Sequence, residues 1–388
     1  MPQYIYNSRR QITPNISLPQ RENMMRKISG LAALLCAGML SSVAHADQSA
    51  AADTAGWKTV AGGHGTGCAT DATPYEFYVH EGDPRRLAIY FQGGGGCWNS
   101  RNCGLDGQKT FENAVDDGDR PWVNKAGAGG ILDVANPANP LREFTIVYAP
   151  YCTADVHLGV RTERFETSDG KYLNVAYRGL ANAQRVLDWV TQQYKDPKRL
   201  FVSGGSAGAI PSPIFASQLA RHYTKAQVVQ LGDGAGGYRT YRLAPQLELW
   251  GATRALKQDP LYRDLDVETV NFEDFYSRAA AVPNLQLAQI NSIEDRVQMF
   301  FLAQLGHDVK TLAPLLSADI ADLRKSNPKL RTYTMPGPVH TVLTRPDFYT
   351  AKVDDVALTK WLEDLVNGRK TGNVGDSLLV TGDAERLK

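Results

Sequence analysis

The chain has 388 residues with almost balanced charge, 42 Lys and Arg against 41 Asp and Glu, so it has no net attraction to nucleic acid or to an anionic membrane surface. Its composition, 43% hydrophobic and 21% charged, is typical of a globular protein and excludes an intrinsically disordered chain. The length suits one large α/β domain or two ordinary ones.

The N-terminal region has the three parts of a secretory signal peptide. A basic start at 25–27 is followed by an apolar stretch at 31–40 and by an A-x-A cleavage site at 44–46. The apolar stretch is too short to span a bilayer comfortably, so we expect no stable membrane insertion. The pattern predicts cleavage after Ala46 and export to the periplasm or the extracellular space.

Residues 1–23 are polar, contain proline and resemble no part of a signal peptide. We therefore expect that translation begins at Met24 or Met25 and that the region 1–46 is absent from the mature protein. Residues 47–388 are expected to form a single monomeric domain. Within it, 240–280 is rich in Tyr, Leu and Asp with mixed helical signals, which predicts a cap over the functional site.

Short apolar runs alternate with helical periodicity along the rest of the chain. The predicted strands are 76–80, 87–91, 144–149, 200–202, 228–231, 285–290 and 330–334. The predicted helices are 174–194, 214–219 and 356–366. Strands that alternate with helices are typical of a mostly parallel α/β sheet flanked by helices.

A strand-to-helix turn with the pattern G-x-S-x-G lies at the centre of this series. Gly204, Ser206 and Gly208 stand between the apolar run 200–202 and helical spacing that begins at Ile214. The turn is so sharp that the residues two before and two after the Ser must be small. It raises the Ser hydroxyl to a helix N-terminus, where free N–H groups favour a developing anion. Ser206 is therefore the candidate nucleophile of an α/β-hydrolase-like fold, and a glycine-rich turn with a capping Ser is the alternative.

Four consecutive glycines, 93–96, follow the strand 87–91. Glycines weaken packing and cost backbone entropy, so this run requires a reason. A phosphate cradle is one, but no Lys-Ser/Thr follows as in a P-loop. An oxyanion hole is the favoured one, because esterases place such a loop after an early strand. A second glycine-rich stretch, 232–237, precedes a poor helix start, so no nucleotide or other cofactor is expected.

The order of residues in an α/β-hydrolase is Ser, then an acid, then His, each in a loop after a strand. Of the seven histidines, only His340 follows a late strand and precedes the closing helix, so it is the predicted general base. Asp295 follows the penultimate predicted strand and is the predicted acid that orients His340. Asp233 and Asp308 are the alternative acids, whereas Glu294, one residue from Asp295, is expected to point elsewhere.

Four cysteines follow the predicted signal peptide, namely Cys68, Cys97, Cys103 and Cys152. An even number in an exported chain indicates two disulfides, for which three connectivities are possible. Cys97 and Cys103 are close enough to close their own loop, and Cys68 with Cys152 would then close a long one. No Cys-x-x-Cys pair or His cluster accompanies them, so no metal site is expected.

Four blocks of the chain resemble the pectin acetylesterase and Notum family. They are FQGGGGCWN at 91–99, APYCTADV at 149–156, SGGSAG at 203–208 and GDGAG at 232–236, in the order found in the family. The resemblance implies an α/β-hydrolase-type serine carboxylesterase with the triad Ser206, Asp295 and His340. It also implies oxyanion donors from the backbone of Gly94, Gly95 and Ala207, and the disulfides Cys97–Cys103 and Cys68–Cys152.

The chain departs from that family at two points. Gly95 and Gly96 stand where Notum has bulky aromatic residues, which predicts a more open mouth to the site. The chain also lacks the many additional cysteines of the animal and plant members. The expected substrate is an ester of acetate or another short acid on a small molecule or a polysaccharide such as pectin. The alternatives are a lipase-like or protein-deacylating esterase for longer acyl chains and a non-catalytic carbohydrate-binding relative.

Overall fold

A computed structural model describes residues 56–70, 74–122, 129–238, 243–307 and 309–379. The predicted signal peptide and translation start lie outside these residues. The same is true of Asp308, one of the alternative acids. The account that follows concerns the described residues alone.

Eight strands form a central sheet. They are β1 (Trp57–Ala61), β2 (Glu76–His80), β3 (Asp83–Phe91), β4 (Phe144–Ala149), β7 (Arg199–Gly205), β8 (Gln227–Asp233), β9 (Leu285–Ser292) and β10 (Arg331–Met335). Their order in the sheet is β1-β2-β4-β3-β7-β8-β9-β10, in which neighbouring strands from β4 to β10 are parallel, whereas β2 pairs antiparallel with β4, and β1 antiparallel with β2. Two separate hairpins are formed by β5 (Thr162–Glu166) with β6 (Tyr172–Ala176), and by β11 (Lys352–Val353) with β12 (Val356–Ala357).

Eight α-helices accompany the strands within the described ranges, and none of them is long and apolar enough to cross a membrane. They are α1 (Gly179–Gln193), α2 (Ser212–His222), α3 (Ala244–Leu249), α4 (Ala252–Leu256), α5 (Phe272–Ala279), α6 (Arg296–Gln304), α7 (Ala313–Ser326) and α8 (Leu358–Val366). The three helices α3, α4 and α5 occupy the segment in which the sequence predicts a cap.

The central sheet is buried on both faces by two separate apolar cores. Along β3, Leu87, Ile89 and Phe91 belong to the core that includes residues of α1 and α2, whereas Ala88 and Tyr90 belong to the core that includes residues of α8. Successive side chains of a strand point to opposite faces, so a strand covered on both faces is apolar throughout. For this reason the inner strands are recognisable as continuous apolar runs in the sequence.

The seven strands predicted from apolar runs are present, but the structure differs from the prediction at three places. The strand β1 (Trp57–Ala61) was not predicted, because this edge strand is mostly exposed and lacks an apolar run. The strand β3 begins at Asp83, before the predicted start at residue 87. The helix expected from residue 174 begins at Gly179, because 172–176 pair with β5 instead.

Two disulfides join loops on the side of the molecule where the inner parallel strands end. Cys68–Cys152 has a Cα–Cα distance of 4.9 Å and ties the segment after β1 to the loop after β4. Cys97–Cys103 has a Cα–Cα distance of 5.0 Å and closes the loop that continues from the glycine run. Both pairings implied by the resemblance are therefore present.

Candidate active site

Ser206 occupies the sharp turn between β7 and α2. Its φ is +51°, in a region that costs energy for any residue other than glycine. A Cβ atom added to Gly204 would overlap the carbonyl oxygen of Gly208, and one added to Gly208 would overlap the carbonyl oxygen of Phe91. The backbone therefore requires glycine on both sides of Ser206, which is the packing that the G-x-S-x-G pattern predicts.

The glycine run passes directly beside Ser206. A Cβ atom on Gly93 would lie 2.5 Å from the carbonyl oxygen of Gly205 and 2.7 Å from Cβ of Ser206. Gly95 has a φ of +77°, and a Cβ atom there would overlap the carbonyl oxygen of Thr110. Gly93 is thus required by the close approach of the elbow, and Gly95 by the close approach of the segment that contains Thr110.

The predicted oxyanion donors lie on the two segments that meet at Ser206. Gly95, Ser206 and Ala207 line one cavity, whereas the α-carbon of Gly94 faces Tyr151 and Glu112. Among the described residues, none accepts a hydrogen bond from the N–H of Gly94 or Gly95, so both donors are free. Backbone donors fixed before reaction are what an oxyanion hole requires.

His340 and Asp295 form a direct side-chain pair, with 2.7 Å between Nδ1 and Oδ2. Asp295 is fully buried and caps α6, because its Oδ1 accepts hydrogen bonds from the N–H groups of Val297 at 2.9 Å and Gln298 at 3.0 Å. The N-terminal end of a helix favours a negative charge there. Since a carboxylate only accepts hydrogen bonds, we assign the proton to Nδ1 of His340, which leaves Nε2 as an acceptor.

The imidazole of His340 lies next to the elbow. Its Cε1 is 3.4 Å from the point where a Cβ on Gly234 would stand, and Gly234 lines the same cavity as Ser206. The following residue, Thr341, has a φ of +52° and lies against Gly205. Within the described residues the hydroxyl of Ser206 has no hydrogen bond to His340, but catalytic hydrogen bonds are often completed only when substrate binds.

The other candidate acids that the structure describes, Asp233 and Glu294, are not paired with His340. Asp233 is buried at the end of β8, and its Oδ2 accepts hydrogen bonds from the N–H groups of Val342 at 2.7 Å and Leu343 at 2.8 Å. Burial raises the pKa of Asp233 to about 6. Glu294 is exposed to solvent. Among the acids that the structure describes, only Asp295 contacts the ring of His340.

Ser206 opens into an apolar cavity of about 50 Å³, which is open to solvent at its mouth. Its walls come mainly from the glycine run, the elbow, α3 and the end of α6. The aromatic side chains in the lining are Trp98, Tyr238, Trp250, Phe272 and Phe301, and the larger aliphatic ones are Val156, Ile210, Leu243 and Leu305. Among the described residues, no three His, Cys, Asp or Glu side chains are arranged to hold a metal ion.

A buried polar group under the glycine run was missed by the sequence analysis. Nε2 of His157 lies 2.9 Å from the carbonyl oxygen of Gln92, and the side chain of Gln92 accepts a hydrogen bond from the N–H of Tyr151. Burial lowers the pKa of His157 to about 4, so the ring is neutral and Nε2 donates to Gln92. This group fixes the peptide that leads into the glycines. The signal available in the sequence was the position of His157 directly after the block 149–156.

The mostly parallel sheet with its flanking helices defines an α/β-hydrolase-like fold. The crystal structure of the Wnt deacylase Notum from Drosophila has the same fold, with a TM-score of 0.55, 17% identity, and coverage of 84% of this chain and 99% of that one. The family model described as Pectinacetylesterase matches residues 56–242. Over 56–242 the chain is similar to the pectinacetylesterase family, and its fold is that of Notum.

Two curated relatives are similar over part of the chain. Palmitoleoyl-protein carboxylesterase notum1' of Xenopus laevis is 29% identical over 143 residues, which are 36% of this chain and 27% of the relative. Palmitoleoyl-protein carboxylesterase NOTUM of Schmidtea mediterranea is 26% identical over 144 residues, 36% of this chain and 25% of the relative. The matched region of this chain therefore spans about a quarter of the length of each of these curated relatives.

Proposed function

We propose that the protein is a carboxylic ester hydrolase with Ser206 as nucleophile, His340 as general base and Asp295 as the acid that orients His340. The observation that carries the proposal is the 2.7 Å contact between His340 and Asp295 beside the cavity that Ser206 lines. The match of 56–242 to a family model named for an esterase supports the same reaction.

The proposed reaction has two steps. Nε2 of His340 takes the proton of Ser206 while Oγ attacks the ester carbonyl, and the N–H groups of Gly94, Gly95 and Ala207 hold the oxyanion. The C–O bond to the alcohol then breaks, and the alcohol leaves with the proton from His340. Water, deprotonated by His340, attacks the acyl-enzyme, and the carboxylic acid leaves as Ser206 regains its proton. Loss of one oxyanion donor typically costs about 3 kcal/mol of barrier.

The apolar cavity favours an acyl group larger than acetyl. Five aromatic side chains surround the space beside Ser206, so they offer apolar surface that acetyl is too small to cover. Burial of apolar surface contributes roughly 25 cal/mol per Å², so a longer or aromatic acyl group gains binding energy that acetyl lacks. We therefore propose that the acyl group occupies the cavity. The alcohol, whether small or polymeric, stays at the open mouth.

Two disulfides support a location outside the reducing cytoplasm. We propose that the protein acts in the periplasm or outside the cell, on esters that it meets there. Detection of the oxidised protein in a periplasmic or culture-medium fraction tests this. Recovery of the protein only from the cytoplasm, with free thiols, would contradict it.

The proposed reaction is tested with p-nitrophenyl esters from acetate to palmitate. Wild type, Ser206→Ala and the control Ser277→Ala, which changes an exposed serine on α5, are assayed side by side. We expect the Ser206→Ala variant to lose at least about 10³-fold in kcat and the control to retain full activity. Substantial activity of the Ser206→Ala variant would overturn the mechanism. A maximum at acetate would overturn the preference for a larger acyl group.

A further inference from the structure

One side chain in the cavity has a different chemistry from the rest of the lining. Apart from the nucleophile, the described lining residues are glycine, aliphatic or aromatic, with the exception of Gln246 on α3. Gln246 is only partly buried, but an amide oxygen enclosed in such surroundings loses its hydrogen bonds to water and gains none from apolar neighbours. Its presence there requires an explanation.

The spacing of α3 accounts for the direction in which Gln246 projects. Leu243, Gln246 and Trp250 are separated by three and four positions, so they lie on one face of the helical turn, and all three line the cavity. Trp250 fixes this face because its Nε1 donates a hydrogen bond of 2.8 Å to the carbonyl oxygen of Cys97. Cys97 is itself held by its disulfide to Cys103. The amide is therefore held at the cavity wall between two apolar side chains.

The amide of Gln246 is unpaired within the described residues. Its Oε1 is enclosed and has no hydrogen-bond partner. Buried polar side-chain atoms are hydrogen-bonded in the large majority of cases, so an exception calls for a reason such as a ligand. Because no hydrogen bond holds the amide, rotation about its last torsion exchanges Oε1 and Nε2, and it offers either an acceptor or a donor.

We propose that Gln246 determines specificity for an aromatic acyl group that carries a hydroxyl group. This rests on the proposed esterase function and names the substrate class for the same site. Flat rings such as those of Trp98, Trp250 and Phe301 offer surfaces against which an aromatic acyl group packs. A hydroxyl group is the substituent that both accepts from Nε2 and donates to Oε1. Hydroxycinnamic acids combine an aromatic ring with a hydroxyl group, so their esters are substrates of this class.

The test compares p-nitrophenyl esters of cinnamic, 3-hydroxycinnamic and 4-hydroxycinnamic acid. Gln246→Met retains the length of the side chain without its hydrogen-bonding groups, and Gln184→Met on the exposed face of α1 is the control. We expect wild type and control to prefer one hydroxylated ester about 10-fold in kcat/KM, and Gln246→Met to lose the preference while keeping activity on cinnamate. Equal rates for all three esters in wild type, or the same preference in Gln246→Met, would overturn the proposal.

Binding of the free acids separates this inference from the esterase assignment. Titration calorimetry of the wild-type protein and of Gln246→Met with cinnamic and hydroxycinnamic acids requires no turnover. We expect one hydroxylated acid to bind wild type about 10-fold more tightly than cinnamic acid, and Gln246→Met to bind both equally. This pattern without ester hydrolysis would uphold the specificity of the cavity and reject the proposed reaction. Failure of wild type to bind any of these acids would overturn the inference.

Discussion

Asp233 is the last residue of β8, Asp295 follows the neighbouring strand β9, and both are buried beside the segment that contains His340. They contact that segment in different ways. Asp295 accepts a hydrogen bond from the ring of His340, whereas Asp233 accepts two from the backbone just after it. One carboxylate orients the side chain, and the other anchors the loop. Similar positions in the sequence therefore correspond to separate physical roles.

The largest effect that this comparison predicts is on catalysis by Asp295→Asn. Asn still caps a helix well, so α6 is expected to remain folded. Its amide would not accept from Nδ1 of His340 in the way a carboxylate does, and the wrong tautomer of the ring would be favoured. The same change in a Ser-His-Asp triad costs about 10⁴ in kcat, and we expect a loss of roughly 10³ to 10⁴ here.

The measurement is kcat for the best ester, together with urea unfolding of each variant. Asp233→Asn is the matched control, because a single amide oxygen can still accept both N–H groups that Oδ2 of Asp233 binds. We expect that control to lose less than about 10-fold in kcat. Equal losses in the two variants would remove the distinction between an orienting and an anchoring acid.

A smaller but clear effect is expected on stability from Asp233→Ala. This change leaves the buried N–H groups of Val342 and Leu343 without acceptors, and each unpaired group costs about 1–3 kcal/mol. We expect a decrease of roughly 2–5 kcal/mol in the free energy of unfolding, with Asp233→Asn far less affected. Urea denaturation at neutral pH measures the difference. Stability of the Ala variant within about 0.5 kcal/mol of wild type would mean that the loop is held by other contacts.

The two roles could not be separated from the sequence, because both acids simply follow a strand. What decides between them is the path of the loop 336–343, which depends on packing against β8 and β9 and not on local pattern. The elbow was predictable because Gly204 and Gly208 are required by contacts within a few residues of Ser206 and by the close approach of β3. The helix face that carries Gln246 was not predictable from the sequence, because the cap segment has no regular apolar period.

The difference between local pattern and tertiary packing also explains which parts of the fold were recognisable in the sequence. Inner strands such as β3 and β4 are buried on both faces, and their apolar runs identify them without tertiary information. The edge strand β1 and the hairpin of β5 with β6 have alternating or polar patterns and depend on their partners for stability. Local sequence therefore predicted the inner strands and the turn at Ser206, whereas tertiary contacts determined β1, the hairpin of β5 with β6 and the cavity lining.

The smallest predicted effect is the pH dependence that Asp233 confers on stability. Burial raises its pKa to about 6 in the folded protein, above the value of about 3.9 in an unfolded chain. The folded state then binds more protons than the unfolded state between these values, so the contribution of Asp233 to stability is complete below about pH 4 and decreases as the pH rises through 6.

Because other buried carboxyl groups titrate in the same range, the quantity to measure is the difference in unfolding free energy between wild type and Asp233→Asn. Asp119 and Asp155 are two such groups, since burial raises their pKa values to about 6 and about 7, and both are unchanged in the variant. We expect wild type to lose roughly 1–3 kcal/mol relative to Asp233→Asn as the pH rises from 4 to 7. A difference that stays constant, or that grows in favour of wild type, would mean that the two backbone N–H groups outweigh burial and hold Asp233 as a carboxylate at every pH.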